Sequence, residues 1–258
     1  MIKVKNISAG YLKKQVLKNV TLNIEKNNFF GIIGKNGAGK STLLKVIAKL
    51  LKPYSGDVFI NFENINSFSK KDFAQKVSFL PQYVDTTYGL LVKDFLMFGR
   101  YPYMNIFRIP VKGDYIVVNK VIDFLKISHI ANRKINELSD GERQIVLIAQ
   151  VLAQETDIIL FDEPTSHLDI GRQNTVLEIL RELNIKFNKT IILSLHDLNL
   201  ASEFCDTIAL MENGNIYDCG TPKEVLSAKN IEKIYNVKVV VSENPISKKL
   251  VVFPITKK

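Results

Sequence analysis

Gly34-Lys35-Asn36-Gly37-Ala38-Gly39-Lys40-Ser41 has the spacing GxxxxGK[ST], follows the apolar run from Phe29 to Ile33, and opens an amphipathic segment extending to Leu51. A strand that ends in such a loop and continues as a helix aims free backbone N–H groups and the positive end of the helix at one spot. That is a cradle for phosphate oxygens. Lys40 adds a point charge where the β- and γ-phosphates of a nucleotide would lie, and the Ser41 hydroxyl offers a ligand to Mg²⁺. At average composition, a chance match in a chain this long has odds of about one in a hundred. Gly34, Asn36, Gly37, Ala38, Gly39, Lys40, Ser41 and Thr42 are therefore the candidate nucleotide-binding residues.

Upstream, Lys3 to Asn6 and Val20 to Ile24 alternate as short strands about a turn expected at Gly10-Tyr11. Apolar runs of the same kind as Phe29 to Ile33 recur at Ile158 to Phe161, Thr190 to Ser194 and Ile208 to Met211. Buried strands separated by helical patterns predict an α/β fold with a parallel sheet covered by helices. From about Gln82 to Glu155 the pattern turns to helix-period segments such as Val118, Val121, Ile122 and Leu125. We expect a helical subdomain over residues 82–155, inserted in a core formed by 1–81 and 156–258. Val237 to Val241 and Lys249 to Phe253, flanking Asn244-Pro245, predict a terminal hairpin.

With 258 residues, 46% hydrophobic and 24% charged, the chain can bury the core of one large domain. The net charge of +9 comes from 35 Lys plus Arg against 26 Asp plus Glu, and the lysines are scattered. Their densest runs are pairs such as Lys70-Lys71, Lys248-Lys249 and Lys257-Lys258. The simplest reading is a solvated surface; attraction to an anionic membrane face or to nucleic acid is the alternative. No run approaches the roughly 18 apolar residues of a membrane span. Met1-Ile2-Lys3-Val4-Lys5 does not lead into the apolar region of a signal peptide. A cytoplasmic location is expected. Cys205 and Cys219 have no metal-ligand spacing and read as reduced structural thiols.

A phosphate loop needs a carboxylate for Mg²⁺ at the end of a neighbouring buried strand. Ile158-Ile159-Leu160-Phe161-Asp162-Glu163 has that form. Asp162 would hold the metal through a water, and Glu163, one residue further out, would polarise an attacking water. Asp-Glu-Pro-Thr is also good turn chemistry. Leu138-Ser139-Asp140-Gly141-Glu142-Arg143-Gln144 reads locally as a capping box, with Ser139 at N-cap and Glu142 at N3 ahead of Ile145, Ile148, Val151 and Leu152 on one helix face.

Standing just upstream of the Asp162 strand, this stretch resembles the LSGGQ-type signature of the ATP-binding-cassette ATPases. Further landmarks fall in that family's order over residues 1 to about 220. Tyr11 matches the aromatic that stacks on adenine, and Gln82 the glutamine that meets Mg²⁺ and the attacking water. Ser166-His167-Leu168-Asp169 corresponds to the loop crossing the dimer interface, and His196 to the switch histidine at the γ-phosphate. The resemblance implies a P-loop NTPase fold: a RecA-like core with an antiparallel β subdomain and an inserted helical subdomain. It implies ATP and Mg²⁺ as cofactors, with catalysis by Glu163, His196 and Gln82. It further implies a homodimer in the ATP-bound state, with Ser139 and Gly141 of one copy meeting the γ-phosphate held by Lys40 of the other. Asp140 stands where the family most often has glycine; its side chain is expected to point away, toward solvent or Arg143.

Val92 to Tyr103 looks like the start of the helical subdomain in ATPases of ferric-siderophore, haem and cobalamin importers, although Tyr103 stands where those relatives often carry His. The resemblance implies a polytopic membrane permease as partner, a substrate-binding protein acting through it, and a peripheral place on the inner face of the cell membrane. Residues 82–100 lie where the family docks that permease. Phe95, Phe98 and Tyr101 fit either the docking groove or the subdomain core. The rival reading is a soluble cassette acting on nucleic acid or the ribosome. Such proteins usually carry two cassettes or a long coiled-coil insertion, and this chain has neither, so no nucleic-acid partner is expected.

Overall fold

The structure is a computed structural model and describes residues 1–12 and 14–255; the Lys257-Lys258 pair lies outside them. β1 (Ile2–Tyr11) and β2 (Lys14–Ile24) pair antiparallel and run further than expected. Gly10 and Tyr11 are not a turn: they pair with Gln15 and Lys14 inside the ladder. Gly10 serves a close approach instead, since a Cβ there would lie 2.1 Å from the Lys14 carbonyl oxygen. β1 also pairs with β4 (Ser55–Ile60), and β4 with β5 (Glu63–Asn64), giving a four-stranded antiparallel sheet in the order β2-β1-β4-β5.

β3 (Phe29–Gly34) is buried at all six positions, the reason its sequence is a continuous apolar run rather than an alternating one. It pairs parallel with β8 (Thr190–Ser194) on one side and β9 (Thr207–Glu212) on the other. The sheet continues through β7 (Ile158–Phe161) to β6 (Val77–Leu80), and β10 (Asn215–Gly220) adds an antiparallel edge to β9. The order is β10-β9-β3-β8-β7-β6. The carboxyl ends of β3, β7 and β8 thus share one edge, where ligands of open α/β sheets bind.

α1 (Lys40–Ile47) begins directly after the phosphate loop. It stops short of the expected Leu51 because Lys49 is left-handed, at φ 58°, and the Leu50 amide returns to the Lys45 carbonyl at 2.9 Å. That closure is a helix stop made without glycine. α2 (Lys70–Ala74) leads into β6. Residues 92–152 then hold α3 (Val92–Met97), α4 (Lys112–Phe124) and α5 (Asp140–Leu152). Val92, Leu96, Val118, Ile122, Ile135 and Val146 form a core of their own there. Leu147, Ile148 and Val151 on the other side of α5 join the core under the main sheet, beside Phe161, Leu177 and Leu180.

α6 (Ile170–Phe187), α7 (Leu198–Phe204), α8 (Pro222–Val225) and α9 (Ala228–Tyr235) follow the later strands. The chain closes with the expected hairpin, β11 (Val239–Glu243) with β12 (Leu250–Pro254), pinned to α7 by the Val252 amide donating to Asn199 Oδ1 at 2.8 Å. Among the described residues, no helix is long and apolar enough to cross a membrane.

Candidate active site

A cleft of about 840 Å³ lies at the carboxyl edge of the main sheet, between β1–β2 and the start of α1. Gly37 and Gly39, both at positive φ (79° and 108°), form the turn of the loop, and Gly39 is the N-cap of α1 without a side-chain cap. No acidic residue sits in the first turn of α1, so its amide end is left for an external anion. Lys40 is 4% exposed, with Nζ donating to the carbonyls of Gly34 (2.9 Å) and Lys35 (3.3 Å). Among the described residues, no carboxylate lies within ion-pair distance of it. Burial pushes the Lys40 ammonium below the usual lysine range, and the fields of Glu163 and Asp162 only partly restore it. A buried cation whose hydrogen bonds among the described residues go only to carbonyls is the environment that a phosphate would complete.

Asp162, 4% exposed, stands across from the loop. Its Oδ1 accepts from the hydroxyls of Ser41 (2.9 Å) and Ser194 (2.8 Å), the latter the last residue of β8. One carboxylate and one hydroxyl facing a phosphate cradle are the hard oxygen donors that suit Mg²⁺, which takes few protein ligands and completes its shell with phosphates and water. Ser194 Oγ also accepts from the Glu163 amide at 2.8 Å. Glu163 has φ 52°, a left-handed backbone that costs a non-glycine residue about 1–3 kcal/mol and recurs where function holds it. Its side chain is 11% exposed; Gln82 Nε2 donates to Oε2 at 2.7 Å, and His196 Nε2 meets Oε1. A carboxylate, an imidazole and an amide thus converge opposite the Lys40 ammonium.

The family model described as "ABC transporter" matches residues 17–166. This chain belongs to that family. The cassette is 38% identical over 241 residues to the achromobactin transport ATP-binding protein of Dickeya dadantii, covering 93% of this chain and 90% of that one. It is 37% identical to the ferric enterobactin transport ATP-binding protein of Escherichia coli, over 96% and 92% of the two chains. Among solved structures, it matches an ABC transporter of metal-chelate type in an inward-facing conformation (TM-score 0.87, 27% identity, 99% and 98% coverage). It also matches a dimeric cassette in a post-hydrolysis state bound to ADP and phosphate (TM-score 0.74, 30% identity, 86% and 99% coverage). The chain is an ABC ATPase that binds nucleotide and couples its hydrolysis to transport.

Within this cassette the residues singled out in the sequence divide into two groups. Tyr11, Asn36, Gly37, Gly39, Lys40, Ser41, Thr42, Gln82, Glu163 and His196 line the one cleft. Tyr11 is half-exposed at its mouth, with Lys45 Nζ 5.8 Å from its ring centre. Gly34 and Ala38 support the loop through their carbonyls, to Lys40 and to the Gly214 amide (3.1 Å). Ser139, Gly141 and Asp169 are elsewhere. Ser139 caps α5, with Glu142 completing the box, and its donors hold the Glu142 carboxyl below the usual range. Gly141 lies against Arg172, while Asp169 caps α6 and pairs with the same Arg172 at 3.4 Å. The Asp140 side chain is largely exposed and pairs with Arg143 at 3.0 Å.

Sequence reasoning missed Ser194. Its signal is slight: a hydroxyl at the end of a largely apolar run, two residues before His196. Val16 and Lys18 of β2 were missed too, because only the fold carries the antiparallel sheet over the loop.

Proposed function

We propose that this cassette powers a membrane importer of metal chelates of the siderophore, haem or cobalamin class, closing as a homodimer on two ATP molecules. The reading is carried by similarity along nearly the whole of both chains to transport ATP-binding proteins whose names specify achromobactin and ferric enterobactin. The partners are a polytopic permease and, through it, a substrate-binding protein, with the cassette peripheral on the inner face of the membrane. Residues 82–155 act as the helical subdomain and 1–81 with 156–258 as the core.

The loop amides and Lys40 take the phosphates, and Tyr11 the adenine. Ser41, Asp162 and Gln82 hold Mg²⁺, which supplies neutralisation of charge on the phosphate oxygens. Glu163 orients the attacking water and receives its proton; His196 leaves Glu163 to contact the γ-phosphate. Ser139 and Gly141 lie outside the cleft, which supports a site completed by a second copy, with Asp169 at the crossing between them. Their amides at the start of α5 would add donors to the γ-phosphate.

Gentle solubilisation of source membranes containing the tagged chain, followed by mass spectrometry, tests this reading. Recovery of a permease with many spans supports transport and narrows the cargo. Recovery of ribosomal or repair proteins without a permease overturns it.

A further inference from the structure

The loop after α3, residues 101–111, buries Met104 but turns the apolar side chains of its second half outward. Ile106 is 96% exposed, Phe107 81% and Ile109 60%. Side chains this exposed touch almost nothing of their own chain, so they form a convex tip rather than the wall of a groove. Contiguous exposed apolar side chains mark an interaction site. A protein helix docks into a groove, whereas projecting single side chains suit a medium that yields around them, as lipid does.

Charge points the same way. Arg108 sits at the tip, Lys112 follows it, and Lys71 of α2 reaches the loop to donate to the Met104 carbonyl at 3.4 Å. The nearest carboxylate in sequence, Asp114, is buried and paired with Arg100 at 3.0 Å, so it does not offset them. Apolar and aromatic side chains interleaved with basic ones make the composition of an interfacial anchor for anionic headgroups. We propose that residues 101–111 form a membrane-contact loop that inserts Ile106 and Phe107 among anionic lipids. The inference goes beyond the importer reading and does not depend on the cargo.

The chain contains no tryptophan, so Phe107→Trp in the full-length protein is a single reporter at the tip. A second protein, Ile185→Trp on the exposed side of α6, is the control. ATPase turnover equal to wild type checks that each variant is folded. The expected result is a blue shift of Phe107→Trp emission with phosphatidylglycerol-containing vesicles, absent with phosphatidylcholine alone and absent for Ile185→Trp. Adding Arg108→Glu and Lys112→Glu should weaken vesicle partitioning at least tenfold. No shift with anionic vesicles, or equal shifts of both reporters, overturns the proposal. So does a shift seen only in membranes that carry a permease, which would make the tip a protein-docking surface.

Discussion

The Ser194 hydroxyl donates to Asp162 Oδ1 at 2.8 Å, tying the end of β8 to the carboxylate that faces the phosphate loop. Ser194 Oγ in turn accepts from the Glu163 amide at 2.8 Å, so one buried serine orients both acidic residues. Removing a group that orients a metal ligand typically costs about 10- to 100-fold in metal affinity. Ser194→Ala should raise the Mg²⁺ concentration for half-maximal ATPase by about tenfold. An unchanged Mg²⁺ titration would show that Ser41 alone positions Asp162.

In the proposed mechanism Glu163 acts on water rather than holding nucleotide. Glu163→Gln keeps the hydrogen-bonding shape and removes the base, so turnover should fall by about 10²- to 10⁴-fold. ATP binding, measured by calorimetry, should stay within a few-fold of wild type. Persistent turnover would remove Glu163 from the mechanism.

Lys40 is a buried cation without an anionic partner, so its charge costs the nucleotide-free protein stability. Lys40→Met should leave the melting temperature without ATP unchanged or higher. The stabilisation by saturating ATP, about 2.7 kcal/mol at a hundredfold excess over Kd, should vanish. A lower melting temperature without ATP would show that the Gly34 and Lys35 carbonyls already satisfy the ammonium.

Asp140 pairs with Arg143 and is largely exposed. It therefore adds little repulsion at the signature. Asp140→Gly should change ATP-driven dimerisation by less than tenfold, which corresponds to about 1.4 kcal/mol. A larger gain in analytical ultracentrifugation would mean that the carboxylate faces the partner's phosphates.

Burial raises the pKa of Asp206, but the Arg181 guanidinium, bonded to both its oxygens at 2.9 and 2.8 Å, and the Phe29 amide outweigh it and hold the carboxyl below the usual range. The folded pKa is thus lower than the unfolded one. The resulting stability is full above the unfolded value, near pH 4, and is lost as pH falls through the folded one. Urea midpoints of wild type should drop more between about pH 5 and pH 3 than those of Arg181→Gln. Parallel curves would show that the pair makes no net contribution.

Much of the site was legible because its chemistry is local. The phosphate loop needs glycines at fixed offsets beside a strand and a helix, and Ser139 with Glu142 closes a box three residues wide. Asp162 and Glu163 were marked by the buried run ahead of them. The turn at Gly10-Tyr11 was misread because a glycine allowing close approach looks in sequence like one allowing a turn. β4, β6 and β10 were not marked either. Ser55–Ile60 and Asn215–Gly220 are only partly buried, and Val77–Leu80 carries a buried Ser78 that interrupts its apolar run.

The buried strands, the phosphate loop and the acidic pair can be read along the chain, since periodicity and short spacing follow from backbone geometry. Which distant residues meet depends on how the strands assemble in three dimensions. Gln82, Glu163 and His196 are separated by dozens of residues and converge because β6, β7 and β8 are adjacent and parallel, ending at one edge. The same topology leaves Ser139 and Gly141 outside the cleft: α5 is held by the cores it packs against, and its start faces Arg172 and solvent, away from Lys40.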